Sequence, residues 1–155
     1  MSVFNPVGAL ISIGGAVLYT VGGLNPQRLA ASSEARFPAH PTASGIFYQK
    51  TGLGERSLSI EARTYPHVMG GLDAYAILTA HHERQSVVPL IRLRSNFQGL
   101  VSGLCVISTL EADEEKLHPF DGVGRQIDVT IGLLMMPTNF SGFDVSSISS
   151  FGGLL

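Results

Sequence analysis

Between Arg125 and Leu133 the chain alternates: Ile127, Val129, Ile131 and Leu133 are apolar, while Gln126, Asp128 and Thr130 between them are polar. Ser57 to Arg63 has the same rhythm, with Leu58, Ile60 and Ala62 set against Ser59, Glu61 and Arg63. A period of two gathers apolar side chains on one face of an extended strand, which a helix cannot do. Both segments are read as half-buried antiparallel strands. Val87–Leu93 and Leu100–Leu110 are more continuously apolar and rich in Val and Ile, and Ser95–Gly99 between them has the composition of a hairpin connection. Arg28–Arg36 carries a weaker strand signal and Ile46–Lys50 a short one.

One helix interrupts the strands. Asp73 follows Gly70-Gly71-Leu72 and suits the positive end of a helix dipole. Ala74 to Gln85 then supplies good helix formers, with Leu78 and the alanines on an apolar side and His81, His82, Glu83 and Arg84 near the end. Pro89 prevents continuation into the next strand. The spacing predicts a helix over residues 73–85. Glu111–Pro119, with Glu111, Asp113, Glu114 and Glu115 close together, reads as an exposed turn. No internal repeat is present. The order is strands, one helix, then three strands, which defines an α+β, mostly β chain with an antiparallel sheet or barrel carrying one helix. A length of 155 residues suits a single domain, residues 1–155. Residues 1–14 read as an N-terminal extension and 137–155 as a C-terminal Gly/Ser-rich extension.

Charge narrows the partners. Only 14% of residues are charged, against about 25% in an ordinary soluble domain. The net charge of -2 and a pI near 6.2 disfavour a basic nucleic-acid binder, and a 45% hydrophobic content excludes charge-driven disorder. The deficit is uneven. No charge occurs from Met1 to Gln27, and Val129–Leu155 has one, Asp144. Apolar, glycine-rich ends of this kind are where neighbouring subunits are expected. Val7–Leu24 reaches the lower length limit of a membrane-spanning helix. Its five glycines and the lack of any Lys or Arg before it favour a flexible leader followed by a strand at Ala16–Val21, so no membrane contact is expected.

Chemistry does not surface. His81, His82 and Glu83 are adjacent, and neighbouring helical residues point about 100° apart, so the two histidines cannot act as an i, i+4 metal pair. His40, His67 and His118 sit beside prolines and read as loop residues whose spacing supports no ligand set. The acids from Glu111 to Glu115 lack the twelve-residue calcium-loop pattern. Gly52-Leu53-Gly54-Glu55 follows its lysine rather than preceding it, so a phosphate loop is replaced by a tight turn between Ile46–Lys50 and Ser57–Arg63. Cys105 lies in an apolar run and reads as a buried thiol. No catalytic, cofactor-binding or metal residue is nominated, and no cofactor is expected. A metal-assisted hydrolase or ligand-binding domain built from loop histidines is the alternative of another class.

Several segments nevertheless follow one another in a distinctive order. They are Gly15–Tyr19, Ala35–Pro38, Tyr48–Glu55 (YQKTGLGE), Ser59–Pro66 (SIEARTYP), Gly70–Leu72, Pro89–Ile91, Gly103–Ile107 (GLCVI) and Phe120–Asp128 (FDGVGRQID). In this order they resemble the protein U family of tail proteins from contractile-tailed bacteriophages and their prophage relatives, over roughly Gly15 to Met136. The resemblance implies a tail-tube-like β-barrel or sandwich with one flanking helix and no catalysis. It implies a virion tail or baseplate protein, assembled in the host cytoplasm into a ring, as a homohexamer, that joins the tail tube to the baseplate hub. Implied partners are the tail tube protein, the hub, the tape-measure protein, a small LysM-like baseplate protein and DNA passing through the lumen. A terminator ring at the capsid-proximal end is the nearest alternative. Glu61, Asp128 and the Glu111–Glu115 segment are candidates for a negatively charged lumen.

Overall fold

A computed structural model describes residues 9–19, 22–93 and 99–137. Its centre is the pair of alternating segments. Strand β6 (Gly52–Thr64) lies antiparallel to β9 (Gly124–Met135), with Leu58 opposite Leu133, Ile60 opposite Ile131 and Ala62 opposite Val129. All six are buried, so the sequence period becomes a ladder of apolar cross-strand pairs on one face. Around it run β1 (Ala9–Ile13), β2 (Ala16–Tyr19), β3 (Asn25–Arg36), β7 (Val88–Leu93) and β8 (Gly99–Leu117). The seven-stranded sheet has the order β2-β1-β7-β8-β9-β6-β3, and the neighbouring strands are antiparallel. A separate two-stranded sheet pairs β4 (Ala39–Thr42) with β5 (Gly45–Tyr48).

The sheet curls. Laid flat, its outermost strands β2 and β3 would stand about 29 Å apart, at roughly 4.8 Å per strand. Instead the Tyr19 N–H donates to the Leu24 carbonyl at 3.0 Å, joining the end of one outer strand to the approach of the other. The apolar face therefore buries largely against itself, and Ile13, Leu18, Leu24, Ile60, Leu90 and Ile131 are almost wholly enclosed. Two helices accompany it, the short α1 (Pro66–Met69) and α2 (Leu72–Arg84), and Ala74 and Leu78 of α2 join the core.

Local chemistry explains the helix ends. Gly71 precedes α2 with φ 105°, and a Cβ there would lie 2.8 Å from the backbone of Gly23 and Leu24 and from the Thr64 hydroxyl. Only glycine allows both that dihedral and that approach. Asp73 occupies the first turn, and Gln85 closes the helix at φ 52° with its N–H on the His82 carbonyl. The expected helix at 73–85 thus stands at 72–84.

Three expectations are corrected. Glu111–Leu117 continues β8 in register with β9 rather than turning, and the turn falls at His118–Val123. Among the described residues nothing pairs with the outer edge of Glu111–Leu117, so the acids there report exposure, not a bend. Gly52–Glu55 belongs to β6, with Gly52 opposite Arg36 and Leu53 opposite Ala35, because β5 pairs with β4 and not with β6. The leader is also not wholly free, since Ala9–Ile13 pairs with both β2 and β7. The hairpin loop at 94–98, Val21 at the end of the expected strand, and the segment beyond residue 137 lie outside the described residues.

Candidate assembly surface

β3 and β6 run on together past the body of the sheet. β9 supports β6 only from Ser57 to Thr64, so the pairs from Ser33–Arg56 to Arg36–Gly52 form a two-stranded ribbon. Gln49 N–H to the Pro38 carbonyl (3.1 Å) and Thr51 N–H to the Arg36 carbonyl (3.3 Å) carry the ribbon into the β4–β5 hairpin. At its tip the Thr42 hydroxyl donates to the Gly45 carbonyl at 2.7 Å. Every residue from Ala30 to Leu53 is exposed. At roughly 3.4 Å per residue the arm reaches about 30 Å beyond Ser33. Its exposed residues include Phe37 (52%), Ile46 (66%), Phe47 (61%), Tyr48 (62%) and Leu53 (68%). An isolated two-stranded ribbon is marginal in water, and its open edges can template pairing with another chain.

A second surface lies on the face of the sheet away from the core. Register places Glu61 of β6, Asp128 of β9, and Glu111, Asp113 and Glu115 of β8 on that one face, whereas Glu114 stands opposite the buried Ile127. Arg28 pairs with Glu61 at 3.2 Å, and Arg63 meets both oxygens of Asp128, at 2.5 and 3.2 Å. The Arg63 hydrogen bond and charge hold the Asp128 carboxyl below its ordinary pKa, and Asp128 in turn raises that of Arg63. Asp113 stands directly across from Asp128, a like-charge pairing that Arg63 offsets. Five carboxylates share the face with these two arginines, so it is net acidic.

The remaining candidates separate by environment. His81 Nε2 donates to the Gly14 carbonyl at 2.9 Å and His82 Nδ1 to the Ile107 carbonyl at 3.0 Å, so both tether α2 to the sheet. His40 lies in exposed β4. His67 is in α1 rather than a loop, and it meets His118 and Asp121 from the β8–β9 turn. Sequence spacing gave no sign of that meeting, because His67 and Asp121 are 54 residues apart. Cys105 is fully buried, and burial pushes its thiol up to about 11. A cleft of about 240 Å³ between β2 and α2, lined by Tyr19, Leu24, Asp73 and Ile77 among others, is smaller than the usual ligand pocket. Among the described residues no helix is long and apolar enough to cross a membrane.

A curled, mostly antiparallel sheet with a solvent-bare arm defines a β-protein whose prominent features are surfaces. The chain belongs to the Phage P2 GpU family, whose model matches residues 15–136. It is a structural protein of the phage tail, and so a component of the virion. No curated protein matches it. A solved chain from the tail of an empty GTA particle, refined helically with C6 symmetry, is similar at a TM-score of 0.49 and 13% identity, over 84% of this chain and 92% of that one.

Proposed function

We propose that the protein is a ring subunit, closing as a homohexamer, that joins the tail tube to the baseplate hub of a contractile tail. Family membership supports the tail role, and the exposed arm is the observation that carries the ring. An arm with apolar side chains and open edges needs a partner, and in a closed ring each copy supplies the same surface to the next. The open outer edge of β8 from Glu111 to Leu117, which β7 does not reach, offers a place for strand addition. The chain acts as one domain, residues 1–155, with both charge-poor ends against neighbours, and it carries no catalytic role. The acidic face lines the lumen, where like charge keeps passing DNA from adhering. The tail tube, hub, tape-measure protein and small LysM-like protein are its neighbours.

Mass photometry of the full chain and negative-stain imaging of tail particles with a tagged subunit test this reading. The expected results are a six-fold ring and density at the baseplate end. Density at the neck would instead mark a terminator ring. A chain that stays monomeric and enters no particle overturns both.

A further inference from the structure

We propose that His67, His118 and Asp121 form a binding site for one divalent transition metal of the zinc class, joining α1 to the β8–β9 turn. One ligand atom from each residue lies within 4.8 Å of the other two. His67 Nε2 is 2.8 Å from Asp121 Oδ2, and His118 Nδ1 is 3.6 Å from Asp121 Oδ1. Bonds of about 2.0–2.2 Å in tetrahedral geometry place neighbouring ligand atoms roughly 3.3–3.6 Å apart, so changes of up to about 1.5 Å in these separations gather the set. Two imidazoles and one carboxylate suit zinc and its borderline-soft neighbours, where an all-oxygen set would suit calcium or magnesium. Three protein ligands leave a fourth position for water.

The ligands are held by their own backbones. His67 sits between Pro66, which opens α1, and Met69, whose N–H bonds the Tyr65 carbonyl at 2.8 Å. In the opposing turn His118 N–H donates to the Val123 carbonyl and Gly122 N–H to the His118 carbonyl, both at 2.9 Å. Asp121 Oδ1 accepts the Val123 N–H at 3.0 Å, which fixes the carboxylate toward the histidines. The imidazole rings of His67 and His118 stack with centroids 4.9 Å apart and planes 29° apart. Val68 (85% exposed) and Phe120 (93% exposed) immediately follow or nearly follow the two histidines in sequence, so the site stands on an apolar stretch of surface. A bound metal fixes that stretch by crosslinking two elements joined by the His67–Asp121 hydrogen bond and the imidazole stack.

The test is zinc titration of the full-length, tag-free protein after dialysis against chelator, followed by calorimetry and metal analysis. One zinc per chain is expected, with a rise in Tm that follows zinc concentration. His67→Gln and His118→Gln are each expected to weaken binding by roughly tenfold or more, with the far-UV circular dichroism unchanged. Cobalt loading gives a second reading: four-coordinate Co²⁺ absorbs strongly in the visible, and the bands should vanish in His67→Gln. Absence of saturable zinc binding overturns the proposal. So does binding that persists undiminished in the His67→Gln/His118→Gln double variant. Ring assembly is not needed for either outcome.

Discussion

Gly132 sits in the middle of β9, yet a Cβ there would collide with the Thr109 hydroxyl across the strand pair. The cause is the irregularity between Ile107 and Thr109, which shifts β8 against β9 and brings Thr109 opposite Gly132. Thr109 is exposed and its hydroxyl can turn away, so Gly132→Ala is expected to cost no more than about 1 kcal/mol, the order of an off-rotamer side chain. Thr109→Ala in the same chain should recover much of it, and denaturant unfolding of the four variants measures the coupling. Cys105 makes a different residue-scale prediction. A buried thiol with a raised pKa should resist alkylation in the native chain and react only on unfolding, as mass spectrometry after iodoacetamide would show. The burial of Cys105 was legible from the apolar run around it. The need for glycine at 132 was not, since it depends on a cross-strand contact.

The elements were legible in proportion to how strongly one face is buried. β6 and β9 announced themselves because Leu58, Ile60, Val129 and Ile131 alternate with polar residues and enter the core. The arm and the far half of β8 have no buried face, so their sequences lack the alternation: Arg28–Arg36 and Ile46–Lys50 give only weak strand signals, and Gly52–Glu55 and Glu111–Pro119 read as turns. His67, His118 and Asp121 were legible only as isolated residues, because their meeting depends on how α1 docks beside the β8–β9 turn. Charge pairing gives an element-scale test. Asp128 has its pKa depressed chiefly by Arg63, so its stabilising contribution is full above the ordinary carboxylate value, near 4, and is lost as pH falls through the lower folded value. Asp128→Asn should flatten the acid limb of a stability–pH profile below about pH 4. Arg63→Gln should destabilise at pH 7 by exposing Asp113 to Asp128, and Asp113→Asn should offset it. Thermal melts at low salt, where screening is least, provide the measurement.

For the whole molecule, the core and the candidate assembly surface are separate. The curled sheet and α2 hold the core cluster, while the arm from Ala30 to Leu53 contributes nothing to it. Replacing residues 37–51 with a short turn should leave the melting of the body nearly unchanged and abolish the proposed ring, as mass photometry and circular dichroism would show together. Loss of folding in that variant would mean the arm belongs to the core after all. In the free chain the backbone amides of β4 and β5 should exchange faster than those of β6 and β9, and in an assembled tail they should be more strongly protected.

The arm is exposed but already shaped, since its ribbon is rooted in β6 where β9 supports it and its tip is closed by the Thr42 hydrogen bond. A partner that covers it therefore meets a surface whose backbone has been ordered in advance. The entropic penalty of association is correspondingly small, and the encounter is governed by diffusion and orientation more than by any folding step on contact.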